Sequence, residues 1–331
     1  MKIKNLLPEK NILGDPITFH GLGIIPVLSD SDADMPAITF LDNALGKGEV
    51  KVSEISESDQ VPYFIVENTG KHPLLILDGE ELVGGKQNRI VNTSILILAG
   101  LVVKIPVSCV EAGRWDNHRY DFDSGKAIFR AKSRAVQKES VTASLRAHGT
   151  FQSDQRSVWN EVGESLCELG IDSATSDFRA GREVISHLIE EFVQAVRPVE
   201  GQIGGIFLGP QGILGCEVLA SPDLFARSVE KIVRSFAFEV LSAAKYDAAI
   251  CKGFMDWWER ILEADFTRHR SPGEGEDIRL DAEGLVGSGL LWRDTLLHFS
   301  CFPAAESNRR NNRPSSPRAN ASERRDRMRN R

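Results

Sequence analysis

The chain has 331 residues, 41% of them apolar and 26% charged, enough for a sizeable core in one large or two moderate domains. Its net charge of −7 is uneven: residues 307–331 hold nine arginines against Glu323 and Asp326, a local +7, so residues 1–306 carry −14, and an acidic body excludes a broad nucleic-acid surface. Five scattered cysteines (Cys109, Cys167, Cys216, Cys251, Cys301) form no CxxC pair, which excludes a zinc knuckle or a disulfide framework and fits a reducing cytoplasm.

The first residues, MKIKNLLPEKNILGDP, lack the apolar segment of a signal peptide, and the longest apolar run, ILILAGLVV, is about half a membrane span. A cytoplasmic protein without a membrane partner is therefore expected. Residues 1–115 read as β: ITFHGLGIIPVL, AITFL, EVKVSEI, PYFIVEN, PLLILDGE, NRIVNTSILILA and LVVKIPVSCVE are rich in Val, Ile and Phe and punctuated by Gly, Asn, Asp and Pro. Their spacing predicts an antiparallel sandwich or barrel-like sheet, with one short helix at LDNALGKG. Residues 116–303 change character. Three helical patterns begin at Lys126, Ser153 and Ser176; the last, through Val184, Leu188, Phe192 and Val196, stops before Pro198. GGIFLGPQGILGCEVL predicts a hairpin turning at Gly209–Gly212, and Ser221 with Pro222 caps the next helix. A helix around Trp257 and Trp258, a loop at SPGEGED and a closing hairpin complete a β-β-α-α-β-β order. The fold class is α+β, a β-rich first part followed by a helical and mixed part packed with it as one unit. Residues 304–331 have too few apolar side chains to offset their ordering entropy, so a disordered Arg-rich tail is expected, with contact to RNA or another polyanion as its alternative.

One stretch concentrates polar chemistry between apolar runs: DGEELVGGKQNRIVNTSILI, Asp78 to Ile97. Strand alternation places polar groups at one end of both strands, and Gly84–Gly85 permits a tight reversal. Lys86, Gln87, Asn88, Arg89 and Asn92 are candidate ligand contacts, because Arg forks onto phosphate or carboxylate while Asn and Gln offer paired donors and acceptors. Glu80, Glu81 and Glu111 are candidate acid–base groups. Glu81 and Glu111 are also candidate oxygen ligands for Mg²⁺. Glu111 sits where an apolar strand face ends, just before Arg114 and Trp115, which add an anion contact and a stacking ring. Lys126, Arg130, Arg134 and Lys138 recur every four residues and predict a basic helical row that would complete a phosphate-binding wall if it leaned over the hairpin. The plainer reading is a polar hairpin end that makes only structural hydrogen bonds and ion pairs. Cys109 and His298 read as core residues, and no Walker loop, GxSxG, GxGxxG or HExxH motif is present.

LDGEELVGGKQNRIVNTSILI followed by IPVSCVEAGRW resembles the signature of a bacterial family named for association with ADP-ribosylglycohydrolases and rhodanese-phosphatase proteins, the ARPP domain family. The resemblance runs from about Pro16 to Pro303 and includes the Gly204–Phe225 segment, GSGLLW and HFSCFP. It implies a ligand such as a nucleotide, ADP-ribose or an RNA end, in a stress or phage-conflict setting. It implies no settled catalytic residues, and leaves open both an enzyme and a non-catalytic binding or scaffolding protein.

Overall fold

The computed structural model describes residues 1–8, 11–30, 35–54, 63–113, 121–241 and 253–304. The Arg-rich tail from residue 305, Arg114 and Trp115 lie outside the described residues. In chain order the strands and helices are β1 (Asn11–Leu13), β2 (Ile17–Phe19), β3 (Leu22–Ser29), β4 (Thr39–Phe40), α1 (Leu41–Gly46), β5 (Val50–Glu54) and β6 (Tyr63–Asn68). Next come β7 (Leu74–Ile76), β8 (Glu80–Val83), β9 (Arg89–Val91), β10 (Ile95–Ile97), β11 (Val102–Cys109) and β12 (Asp123–Ile128). The helices α2 (Ala131–His148), α3 (Gln155–Glu168), α4 (Phe178–Val184) and α5 (Ser186–Ala195) follow. The chain then runs through β13 (Gln202–Gly209), β14 (Gly212–Leu219), α6 (Pro222–Leu241), α7 (Phe254–Leu262), β15 (Asp265–Arg270), β16 (Glu276–Asp281), β17 (Leu285–Trp292) and β18 (Thr295–Pro303).

The fold is α+β. A nine-stranded sheet runs β1-β3-β13-β14-β18-β17-β16-β15, with β2 also on β3, so both ends of the chain build it. Strand β13 is buried along its whole length because both sheet faces are covered. Its Phe207 stacks on Phe236 of α6, while Ile206 and Leu208 join a second core with Trp257, Trp258 and Ile261 of α7. A six-stranded sheet, β12-β8-β9-β11-β6-β5, and a three-stranded one, β10-β7-β4, form the β-rich first part. They close on a third core through residues such as Phe64, Val66, Ile76, Leu82 and Ile105. In β6 the strict alternation expected of a half-buried strand turns Phe64, Val66 and Asn68 inward.

Helix α6 is the hub. Ser221 Oγ accepts the Leu224 N–H at 3.3 Å, Pro222 begins the helix, and Leu224, Phe225, Ile232, Phe236 and Val240 face the core. The short α1 and the β13–β14 hairpin stand where they were expected.

Three expectations are corrected. The helix predicted from Lys126 begins at Ala131, because Asp123–Ile128 pairs with β8 as an edge strand and buries Ala127 and Ile128. The helix predicted from Ser176 is two, broken at Ile185; Ile189, Phe192, Val193 and Val196 make the buried face, while Val184 is exposed. The helix expected around Trp257 and Trp258 ends at Leu262, and Asp265–Arg270, of which the expected helix took only Asp265 and Phe266, is a polar, solvent-facing edge strand with little apolar pattern to read. No helix among the described residues is long and apolar enough to cross a membrane.

Candidate functional site

The polar stretch folds as the β8–β9 hairpin, with Glu81 opposite Ile90 and Leu82 opposite Arg89. Gly84 (φ 142°) and Gly85 (φ 55°) make the reversal. A side chain at either would meet Asp121 or Phe122 at 2.5 Å, so the loop depends on glycine for space as well as conformation.

Asp78, just before β8, anchors a buried ionic network. Its Oδ2 accepts from Arg134 Nη2 at 3.0 Å and Lys138 Nζ at 2.8 Å; its Oδ1 accepts from Ser300 Oγ at 3.0 Å. Arg134 also pairs with Glu217 of β14. Lys138 Nζ further donates to Ser288 and Ser300 on β17 and β18. His298 bridges Glu217 through Nε2 and Ser94 through Nδ1, each at 2.7 Å. Burial pushes the Asp78 carboxyl up, but Arg134, Lys138 and His298 more than offset this and hold it well below the ordinary carboxylate range. The basic row thus reaches the hairpin only in part. Arg134 and Lys138 lean onto it and are bound by carboxylates. Arg130 precedes the helix and pairs with Glu239 and Glu168, and Lys126 sits in β12 at a φ of 50°.

Alternation along β8 sends Glu80 and Glu81 to opposite sides. Glu80 meets Lys231 of α6, accepts the Leu77 N–H at 3.0 Å, and shares Lys231 with Asp42. Burial would lower the Lys231 ammonium; Glu80 and Asp42 outweigh it and keep the group charged. Glu81 faces α4. Arg182 Nη2 lies 2.8 Å from its Oε2, but off the hydrogen-bonding direction: neither Glu81 oxygen accepts, and Arg182 Nη1 does not donate, among the described residues. Burial pushes the Glu81 carboxyl up; Arg182 offsets this in part, and the nearby Asp177 charge adds to it. Glu81 is 1% exposed, whereas the Arg182 side chain is 13% exposed and reaches solvent.

The hairpin loop joins this second group. Gln87 Nε2 donates to the Glu111 carbonyl at 2.8 Å, and Asn88 donates from its backbone to Glu111 Oε2 at 3.2 Å and from Nδ2 to Asp177 Oδ1 at 3.3 Å. Asp177 caps α4 by accepting the Arg179 N–H at 3.1 Å; burial and the Glu111 carboxylate push its carboxyl up. The backbone N–H of Lys86 donates to Glu54 at 3.1 Å. Arg89 is buried, donates to Gln87 Oε1 at 3.0 Å and lies 6.0 Å from the Phe64 ring centre. Asn92 stands apart: it bonds Gln137, Ser108 and the Phe151 carbonyl. Cys109 is half-buried, its backbone held on both sides by the Gln155 amide.

Glu81, Glu111 and Asn88 therefore gather around Asp177 at one hairpin end, whereas Arg89, opposite Leu82, turns with Gln87 toward the Phe64 ring, and Glu80 and Asn92 point elsewhere. Asp177 and Arg182 complete the surroundings of Glu81, and Lys231 those of Glu80. The signal for Asp177 was its place as an N-cap before Phe178; nothing local marked the others. Among the described residues no group of three His, Cys, Asp or Glu side chains could hold a metal ion. Glu81 and Glu111 face Arg182 and the Asn88 backbone.

Fold and site together define an α+β protein whose β-hairpin carries two buried ionic groups, one closed and one incomplete. The chain belongs to the family of the ARG and Rhodanese-Phosphatase-superfamily-associated Protein domain, ARPP-1, which it matches over residues 11–302. No curated protein and no solved structure matches it.

Proposed function

We propose that the protein binds a ligand carrying both hydroxyls and phosphate, of nucleotide or ADP-ribose type, at the Glu81–Arg182 pair. One observation carries this reading: among the described residues both Glu81 oxygens and Arg182 Nη1 are buried without a hydrogen-bond partner, whereas the Asp78 carboxylate beside the same hairpin is bonded at both oxygens. Unsatisfied buried polar atoms are costly and rare in native structures. A carboxylate accepts from sugar hydroxyls, and a guanidinium donates to phosphate oxygens. Asn88, bonded to Asp177 and through its backbone to Glu111, supplies further polar contacts beside the pair. If the ligand is processed, hydrolysis suits the site, with Glu81, raised by burial, as proton donor and Glu111 as the second carboxylate. Glu80 is committed to Lys231. The association in the family's name with proteins that act on ADP-ribose and phosphate supports the same ligand class.

The rival reading, a non-catalytic scaffold, rests on the closed Asp78 network, which locks the hairpin to the sheet. Thermal unfolding with ADP-ribose, NAD, nucleotides and phosphate, with and without Mg²⁺, separates the two. A ligand at one hundred times its Kd adds about 2.7 kcal/mol of stability. The shift is expected in the wild type and absent in the Glu81→Leu/Arg182→Met double variant, which replaces the pair without stranding a charge. A wild type that no compound stabilises would leave the scaffold reading standing.

A further inference from the structure

Away from the hairpin, α2 and the β16–β17 turn enclose an open groove of about 800 Å³. Its rim carries Glu139, Asp281 and Glu283 against Arg146, which pairs with Asp281 at 3.1 Å. Its floor is made of small and aliphatic residues such as Ala143, Gly284 and Val286. The wall also includes Ala304, whose N–H donates to the Gly284 carbonyl at 3.0 Å directly after the last β17–β18 pair, Leu285 with Pro303. The chain therefore leaves the described fold from inside an acidic groove. The 27 residues that follow, 305–331, include nine arginines.

We infer that this groove is the docking site of the chain's own Arg-rich tail. Three observations converge. The tail starts at the groove, the groove carries net negative charge, and the tail is the strongly basic segment of a chain whose remainder is at −14. Guanidinium groups match the rim carboxylates, and their aliphatic stems cover the apolar floor, which suits a segment almost without apolar residues of its own. Tethering makes weak contacts sufficient: a segment joined to the groove at Ala304 meets it at an effective concentration in the mM range. A docked tail is withdrawn from other polyanions, so RNA would have to compete with the groove for it.

The test is tryptic cleavage within residues 307–331 of the full chain, followed by mass spectrometry and compared with a free peptide of the same sequence. Cleavage follows the undocked population. A groove affinity near 0.1 mM against a mM effective concentration slows it about tenfold at low salt. Protection is expected to vanish at high salt and in the surface variant Glu139→Gln/Glu283→Gln, and to be independent of protein concentration. A tail cut as fast as the free peptide overturns the inference. So does protection that the groove variant leaves intact, which would place the tail on another surface. Protection that grows with protein concentration would assign the groove to a second copy's tail and overturn docking within one chain.

Discussion

Asp78 and Glu81 are three residues apart on one hairpin, and both are almost wholly buried, yet their surroundings differ in kind. Both Asp78 oxygens accept hydrogen bonds from cations and hydroxyls, and each partner is itself bonded onward to Glu217, Ser288 or Ser300. Among the described residues the Glu81 oxygens accept none, and its cation keeps an idle donor nitrogen. Burial of charge is therefore not what marks a candidate site in this molecule. A closed ionic network fixes the sheet-to-hairpin geometry; an incomplete one retains hydrogen-bonding capacity that a ligand can use. The comparison also assigns opposite pH behaviour to the two carboxyls, since one is held down by cations and the other pushed up by burial.

The largest effect should come from breaking the closed side. Asp78→Ala leaves Arg134 and Lys138 with less negative charge in a sealed interior, and removing one partner of such a group costs about 3–5 kcal/mol. Denaturant unfolding should show this as a large drop in midpoint at unchanged slope. A loss below about 1 kcal/mol would mean the network does not lock the hairpin, and the contrast between the two regions would fail.

Removing a cation from the open side should cost less. Arg182→Ala exposes Glu81 to burial without its counter-charge, but a carboxyl already pushed up can take a proton instead. The expected loss at neutral pH is about 1–3 kcal/mol, shrinking as the pH falls. An equal loss at every pH, read from the same unfolding curves, would show that the arginine acts by packing and not by charge.

The pH profile tests the pair directly. Asp78 has a folded pKa below its ordinary 3.8, so its contribution is present above that value and is lost as the pH falls through the lowered pKa. Glu81 has a folded pKa above its ordinary 4.5, so the native state keeps its proton longer. Its contribution is complete below 4.5 and is lost as the pH rises through the raised pKa. Unfolding free energies of the wild type and Glu81→Gln should therefore converge on the acid side and separate upward from it. Asp78→Asn should instead approach the wild type only in strong acid.

These contrasts also explain what could be read from the sequence. The hairpin, its glycine reversal, the Ser221–Pro222 helix start and the β-rich first part are set by local pattern, and local pattern is visible in one chain. The basic row was half visible. Arg134 and Lys138 keep the four-residue spacing on α2, but residues 123–128 were claimed by β8 as an edge strand, and that pairing is a tertiary choice. Asp78 shares Arg134 with Glu217 and lies 3.6 Å from His298, both more than a hundred residues further along the chain, and Glu81 meets Arg182 of α4. No periodicity encodes such meetings. The incompleteness of the Glu81 pair is less visible still, because it depends on the direction in which a guanidinium approaches.

The smallest expected effect is the most discriminating. Glu81→Gln keeps the shape of the side chain and removes its charge. In a closed network, the same change would strand a buried cation. Here Arg182 is partly solvated, and the carboxylate it faces receives no hydrogen bonds to lose. The substitution removes an unfavourable buried charge while weakening one ion pair, two terms of opposite sign. The net change at neutral pH should lie within about 1 kcal/mol of zero, because the relief of a buried charge and the weakened ion pair offset one another. The isosteric Asp78→Asn variant, measured by the same denaturant titration, sets the scale. If Glu81→Gln costs as much as Asp78→Asn, then Glu81 is as structural as its neighbour, and the proposed ligand site loses the observation on which it stands.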